Sequence, residues 1–225
     1  MKRVHLLVLV LFLGTPAFGE GLTINLMETD STGKKSAEIL QTDRTRARLD
    51  LPNGSKLLYN SETKKLMAMF PGSPTYVELT PQLVQVLGAS RRGQAPPAAI
   101  TYKRMGMSRV GQWPCTLYEG SRGSEKVAEL CAAESAAIGL AASDFTVVQQ
   151  ALDSVKGVIP QDVLEGVPTY GSIAAQGFAG FPVRRVTFAT GKVSTTNELV
   201  DIKRSKIPDA NFAAPTSINN DTPAK

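Results

Sequence analysis

Short alternating segments, separated by strong turn signals, constrain this chain more than any other feature of its sequence. The clearest segment spans residues 44–51, where Ala47, Leu49 and Leu51 alternate with polar residues ahead of the turn Pro52-Asn53-Gly54-Ser55. Strict alternation is typical of a strand with one buried face, and Asn-Gly tolerates the positive φ that a tight hairpin turn needs. Strands joined by such local turns predict an antiparallel sheet.

The same pattern continues along most of the chain. We predict strands wherever apolar residues alternate between clusters of Gly, Pro, Asn, Asp and Ser. The predicted strands cover residues 22–26, 36–42, 44–51, 56–60, 65–70, 75–79, 100–105, 115–119, 126–131, 181–190 and 194–204.

Two amphipathic segments predict helices. The first follows Thr80, a candidate cap, and carries Leu83 and Leu87 on one side; the second spans residues 143–156. Apolar residues at helical spacing need a partner surface, and a sheet face is the only large one that this chain predicts. We therefore expect an α+β fold, in which a curved antiparallel sheet, a half-barrel, has its concave face covered by helices.

The first residues have the features of an export signal. Lys2 and Arg3 precede an apolar run from Leu6 to Leu13, and the small residues Ala17 and Gly19 fit a signal-peptidase site. A membrane anchor is the alternative, but spanning ~30 Å of hydrocarbon takes about 20 apolar residues, far more than this run contains. The sequence predicts export to a bacterial periplasm or to the medium.

This signal divides the chain into three predicted parts. Residues 1–19 form a cleaved signal peptide, residues 20–214 form a single domain, and the polar residues 215–225 form a flexible C-terminal tail. No other apolar run is long enough to span a membrane, so we expect a protein that does not cross one.

The two cysteines predict a structural disulfide. Cys115 and Cys131 flank a cluster of turn formers at residues 120–124, and a hairpin symmetric about Gly123 would set them directly opposite each other. A zinc site needs four ligands and a redox pair usually reads C-x-x-C. Zinc does not fit, because only two cysteines are available and the single histidine, His5, lies in the predicted signal peptide. A redox pair does not fit, because Cys115 and Cys131 are too far apart in sequence to form that motif.

Catalytic motifs are weak. A serine triad is excluded because the single histidine, His5, lies in the predicted signal peptide. The two Ser-x-x-Lys matches, Ser31 to Lys34 and Ser61 to Lys64, fall in predicted turns, where these residue types are common. We therefore predict no enzyme activity, no cofactor and no metal.

A row of arginines is the main charged feature. Arg44, Arg46 and Arg48 share one face of a predicted strand, where they could meet anionic lipid headgroups or an acidic partner. The alternative is a solvated face that discourages edge pairing. Nucleic-acid binding is not expected, because the net charge is only +5 and aromatic residues make up 6% of the chain.

Apolar residues from three segments could line a ligand cavity. Methionine suits adaptable apolar sites, and the helical residues have the spacing of one apolar stripe. The alternative is an ordinary filled core. The candidate ligand-binding residues are Met67, Met69, Leu83, Leu87, Phe145, Val148 and Leu152.

Short motifs along the chain resemble an uncharacterised family of exported bacterial proteins, a domain of unknown function. These motifs are Arg48-Leu-Asp50, Tyr59-Asn60, Leu66 to Phe70, Tyr76, Gly111-Gln-Trp-Pro-Cys115-Thr, Glu129-Leu-Cys131-Ala and Phe181-Pro-Val-Arg-Arg-Val186. The family is similar in architecture to the periplasmic lipoprotein carrier, the LolA/LppX-like half-barrel. This resemblance implies that fold and an apolar ligand, and it assigns no contact residue.

The function predicted from these features is that of a non-catalytic exported carrier or binding protein. It would hold an apolar moiety, a lipid or acyl group, between sheet and helices. The alternative is a structural or interaction module of the cell envelope, with a solid core and a basic face that contacts another envelope protein. No nucleic-acid partner is expected in either case.

Overall fold

The computed structural model describes residues 20–73, 75–89, 98–155 and 177–214, and the predicted signal peptide and C-terminal tail lie outside them. Strands account for most of the described chain. They are β1 (Gly21–Asp30), β2 (Lys35–Thr42), β3 (Arg46–Asp50), β4 (Lys56–Asn60), β5 (Lys65–Met69), β6 (Val77–Glu78), β7 (Thr101–Val110), β8 (Trp113–Arg122), β9 (Glu125–Ala133), β10 (Phe181–Ala189) and β11 (Lys192–Ser205).

Helical elements are few and short. The α-helices are α1 (Pro81–Ala89) and α2 (Thr146–Ser154), with nine residues each. Three 3-10 helices, Ala136–Ile138, Ala142–Phe145 and Asp209–Phe212, complete the list of described helices.

All eleven strands belong to one antiparallel sheet, in the order β6-β5-β4-β3-β2-β1-β11-β10-β9-β8-β7. Strands β1 to β6 and strands β7 to β11 each form a ladder of sequential neighbours. The pairing of β1 with β11, which runs from Gly21 opposite Ser205 to Asp30 opposite Thr195, joins the two ladders. The antiparallel sheet predicted from alternation is confirmed.

Local turn chemistry explains the hairpins. At the β1–β2 turn the Asp30 carboxylate accepts hydrogen bonds from the Thr32 hydroxyl and from the main-chain N–H groups of Thr32 and Lys34, at 2.6 to 3.0 Å. Gly54, in the predicted Asn-Gly turn between β3 and β4, has a φ of 86°, which favours glycine. Both Ser-x-x-Lys matches lie in turns, as expected.

The helices cover less of the sheet than the sequence predicts, and the predicted half-barrel curvature is not found in the residues that the structure describes. The sheet is neither closed nor strongly curled, and the described chain is largely β. The helix predicted for residues 143–156 starts as the 3-10 helix Ala142–Phe145 and becomes α-helical only from Thr146 to Ser154. The cap predicted at Thr80 is confirmed, since its hydroxyl accepts a hydrogen bond of 3.2 Å from the Leu83 main-chain N–H.

Strand lengths also differ from prediction at both edges of the sheet. β7 extends to Val110 and β8 begins at Trp113, whereas the strand predicted for residues 75–79 is reduced to Val77–Glu78. β7 extends because a bulge next to Met105 lets the strand continue past Gly106, a residue that weakens strand patterns in sequence.

The disulfide joins Cys115 to Cys131, with an S–S distance of 2.00 Å and a Cα–Cα distance of 5.3 Å. The predicted register is wrong, because Leu117 rather than Cys115 lies opposite Cys131. A two-residue turn and a bulge beside Gly120 move the register away from the symmetric hairpin. The bond still links β8 to β9, so a slip between these two strands would have to break or strain it.

Loss of this bond should destabilise the protein. Closing a loop of this length is expected to contribute roughly 3 kcal/mol to the free energy of unfolding on the chain-entropy model. The double variant C115A/C131A should therefore unfold at a lower urea concentration than the oxidised protein. Reduced wild-type protein is the matched control, because it loses the bond but keeps both sulfur atoms; an unchanged unfolding midpoint after reduction would contradict this prediction.

Candidate functional site

The apolar face of the first ladder lies against helix α2. We use "apolar face" for the buried side chains of β1 to β5 that share one side of the sheet, because they lie directly opposite one another in the register. Helix α2 packs over β3 and β4. The apolar face consists of Leu22, Ile24, Leu26, Leu40, Ala47, Leu49, Leu57, Tyr59, Leu66 and Ala68.

The helical members of the predicted ligand set meet this face. Phe145, Val148 and Leu152 are each less than a tenth exposed and belong to the same buried cluster as the apolar face. The Phe145 ring lies 5.7 Å from the ring of Phe181, centroid to centroid. Leu83 of α1 is half-buried and packs against this cluster.

The predicted methionines do not join them. Leu66 and Ala68 turn towards the core, and side chains alternate along a strand, so Met67 and Met69 lie on the opposite side of β5. The expectation that both methionines and the helices line one cavity is therefore wrong. Leu87 lies in α1, and its side chain is outside the described part of the structure.

The predicted basic row is divided between a bend and a strand. Arg44 is exposed in the bend before β3, so the strand predicted from residue 44 begins two residues later. Arg46 is on β3, with its guanidinium 2.7 Å from Asp43, 2.8 Å from Asp209 and 4.5 Å from the centre of the Phe212 ring. Its charge is therefore balanced inside the domain.

Arg48 is paired in the same way. Its guanidinium lies 2.6 Å from Asp50 and donates a hydrogen bond of 3.0 Å to the main-chain carbonyl of Asn211. Burial alone would raise the pKa of Asp50, but Arg48 and the nearby ammonium of Lys56 hold that pKa below its usual value. Arg46 and Arg48 do not form a freely solvated face, because their side chains are only 26% and 22% exposed.

The segment that covers these arginines crosses three strands on the side of the sheet opposite α2. Ile207 is buried against Gly21 of β1, where a Cβ would lie only 2.6 Å from the Ile207 side chain. Asn211 donates a hydrogen bond of 3.2 Å to Gln41 of β2, and Asp209 reaches Arg46 of β3. We call residues 207–212 the C-terminal clasp.

A buried carboxyl group lies at one end of the apolar face. Glu38 of β2 is directly opposite Leu26, two residues from Leu40, and is only 2% exposed. Its Oε2 atom accepts a hydrogen bond of 3.2 Å from the Asn197 side chain, whereas its Oε1 atom has no hydrogen-bond partner among the described residues.

The surroundings of Glu38 favour its protonated form. Burial raises the pKa of Glu38 from 4.5 to about 7; the Asn197 hydrogen bond and Arg185 oppose this rise, and Glu28 adds to it. A carboxyl group with this pKa is present in both protonation states near neutral pH, so it can donate or accept a hydrogen bond.

Arg185 brings a second buried polar atom to the same place. It lies on β10 directly opposite Asn197, and its buried Nε atom has no hydrogen-bond partner in the part of the chain that the structure describes. β11 lies between β10 and β1, and Glu28 of β1 is also directly opposite Asn197. Glu38, Asn197, Arg185 and Glu28 form what we call the polar site, which offers both an acceptor and a donor. Buried polar atoms are normally hydrogen-bonded, so this pair is suited to a polar group of a ligand.

Sequence reasoning missed the polar site. In the segment Ser36-Ala37-Glu38-Ile39-Leu40, the pair Ala37 and Ile39 suggests an apolar face that leaves Glu38 in solvent. The structure turns Leu40 and Glu38 inward instead. Its neighbours in the structure, Leu26 directly opposite on β1 and the Asn197 side chain of β11, identify Glu38 as buried.

The raised pKa predicts a stability that falls as pH rises. Folded Glu38 holds its proton up to about pH 7 and unfolded Glu38 only to about 4.5, so the folded state binds more protons between these values. Over that window, ionisation should reduce the free energy of unfolding by up to about 3 kcal/mol. Glu38→Gln should therefore be more stable than wild type at pH 8 and nearly equal at pH 5, as measured by urea unfolding.

The matched control is Glu28→Gln, which removes a half-buried carboxylate of the same polar site. It should change the pH dependence much less, because burial is the largest cause of the raised pKa of Glu38 and Glu28 a smaller one. If Glu38→Gln and wild type lose stability in parallel from pH 5 to pH 8, the proton is not held by Glu38.

No group of three or more His, Cys, Asp or Glu side chains in the described residues is arranged to hold a metal ion. In the same part of the chain, no helix has the length and apolar character needed to cross a membrane.

Solved structures similar to this chain share little sequence with it. An uncharacterised conserved protein from Thermus thermophilus is 12% identical, with 88% of each chain covered and a TM-score of 0.45. The complex of MucA and MucB from Pseudomonas aeruginosa matches at 10% identity, 88% of this chain, 56% of that chain and a TM-score of 0.37. A LolA superfamily protein from Nitrosomonas europaea matches at 9% identity, 88% of this chain, 91% of that chain and a TM-score of 0.26.

Among curated proteins, no sequence match is found. A family model described as a domain of unknown function, DUF4412, matches residues 22–218. The match extends from β1 through the C-terminal clasp and so includes both ladders, the apolar face and the polar site. The predicted resemblance to an uncharacterised family is confirmed. The chain belongs to the DUF4412 family.

Proposed function

We propose that this protein is a non-catalytic exported carrier or binding protein that holds an apolar moiety, a lipid or acyl group, between its sheet and helix α2. The disulfide between Cys115 and Cys131 supports a periplasmic or secreted location, because such bonds persist in oxidising compartments.

The polar site is the observation that carries this proposal. A core that is filled only by its own side chains gains nothing from a buried acceptor on Glu38 and a buried donor on Arg185 that lack partners. Leaving such groups unsatisfied costs about 1–3 kcal/mol each. A ligand with a polar head and an apolar chain could meet both atoms, with its chain along the apolar face beside Leu26 and Leu40.

Helix α2 provides a means of access. It is held on β3 and β4 by the packing of apolar side chains, whereas the strands are joined to one another by their own antiparallel ladders. Moving α2 would expose the apolar face without breaking any pairing between strands. An apolar chain could enter at this position while the sheet stays intact.

Ligand binding can be tested with protein purified from its native compartment and with variants of two adjacent arginines. Lipid extracted with protein purified from its native compartment should be detected by mass spectrometry, and 11-(dansylamino)undecanoic acid should bind and be displaced by that lipid. Arg185→Leu should weaken probe binding roughly tenfold, because a charge-assisted hydrogen bond to the head group is lost.

Arg184→Leu is the matched control. Arg184 is next in sequence, so its side chain lies on the opposite side of β10, where its Nε atom is 3.2 Å from Glu198; its loss should change probe affinity less than twofold. The absence of both co-purified lipid and probe binding would overturn the proposal. Equal losses in the two variants would show that the polar site does not hold the head group.

The alternative of an interaction module with a basic contact face has less support at the predicted surface. Arg46 and Arg48 already have partners in Asp43, Asp50 and Asp209. A partner that binds there would have to replace these intramolecular contacts.

A further inference from the structure

Strand β7 forms one edge of the sheet and is exposed along most of its ten residues. Within the described residues, no strand pairs with its outer side. The opposite edge is different, since β6 has only two residues. A long edge strand offers unpaired main-chain N–H and C=O groups to an additional strand.

A bulge in β7 aligns three exposed side chains. The register between β7 and β8 shifts between Arg104 and Gly106, so that residues three apart in sequence reach the same side of the sheet. Two residues directly opposite each other in the register have their side chains on the same face of the sheet. The β8 partners of the three β7 residues are two positions apart, so they also share one face. The pairs are Arg104 with Tyr118, Met107 with Thr116 and Arg109 with Pro114. We call Arg104, Met107 and Arg109 the β7 row.

The β7 row combines positive charge with an apolar centre. Met107 is 70% exposed, and Arg104 donates a hydrogen bond to its sulfur atom at 3.9 Å. No ion pair of Lys103, Arg104 or Arg109 is found within the described residues, and β7 contains no acidic residue. By contrast Lys126, two strands away, pairs with both Glu119 and Glu129.

We propose that β7 binds an extended acidic segment of a partner protein, which adds to the sheet as a further strand. Main-chain hydrogen bonds would supply the pairing, and alternate side chains of the segment would face the β7 row. Arg104 and Arg109 are four ladder positions apart, which is about 13 Å. The segment should therefore carry two carboxylates four residues apart with an apolar residue midway, as in acid-x-apolar-x-acid.

Charge argues against a second copy of this chain as the occupant. Two β7 strands paired antiparallel would bring the arginines of one row near those of the other, and like charges opposite each other destabilise a sheet. Charges on an edge strand can also act solely to discourage pairing. If these charges only discourage pairing, β7 should have no affinity for an acidic strand. Measured binding of such a strand therefore distinguishes this role from the proposal.

The test uses the blocked peptide Thr-Val-Asp-Thr-Leu-Thr-Asp-Val-Thr and the full mature chain. Binding is measured by titration calorimetry, and hydrogen exchange identifies which main-chain amides become protected. We expect saturable binding that weakens with added salt and protects amides of β7. A peptide with N-methylated alternate amides, which cannot extend the ladder, should not bind.

Charge reversal in the protein provides the second comparison. Arg104→Glu with Arg109→Glu should weaken peptide binding at least tenfold. The matched control, Lys35→Glu with Lys192→Glu, changes the net charge equally at exposed sites on other strands and should change affinity less than twofold. Both variants should keep the far-ultraviolet circular dichroism of the wild type, since all four side chains are exposed.

Four outcomes would overturn the proposal: no peptide binding, equal weakening in the two double variants, undiminished binding of the N-methylated peptide, or protection of β7 by phosphatidylglycerol vesicles but not by the peptide. The last result would identify an anionic membrane surface as the occupant. Loss of lipid binding leaves this test unaffected, because β7 and the polar site use different residues.

Discussion

The pairing of β1 with β11 is the interaction on which the rest of the structure depends. Each ladder consists of neighbours in sequence and could form locally, but the single sheet exists only because the first described strand meets the last. Contacts between residues so far apart carry a high loop-closure entropy, and the ladder of main-chain hydrogen bonds must offset it. The same junction creates the polar site, since Glu38 lies on one ladder and Arg185 and Asn197 on the other.

Local features of the fold were predictable because their causes are local. The alternation of Ala47 and Leu49 with Arg46 and Arg48 predicted one buried and one polar side of β3, and this is correct. The Asn-Gly turn and the cap at Thr80 depend on a few adjacent residues, which the sequence displays directly. The disulfide followed from two cysteines on either side of one turn, although a bulge changed the register.

Long-range features could not be predicted. Their apolar character predicts that the methionines of β5 lie with the apolar residues of α2, but the side to which a strand residue points depends on its register with neighbouring strands. Glu38 shows the same limit in reverse, since a charged residue between Ala37 and Ile39 suggests an exposed position. The pairing of Arg46 with Asp209 joins residues from opposite ends of the chain, so charge patterning alone suggested an open basic row.

The C-terminal clasp has a consequence for the order in which the domain is completed. Its residues lie near the end of the described chain, and they bridge β1, β2 and β3 across the direction of the strands. A chain that is synthesised from its N-terminus could align these strands early, yet Arg46 and Arg48 would lack Asp209 and Asn211 until the clasp residues are made. A chain cut short before the clasp would therefore leave Arg46 and Arg48 with only their local partners, Asp43 and Asp50, and would uncover the side of β1 on which Ile207 lies.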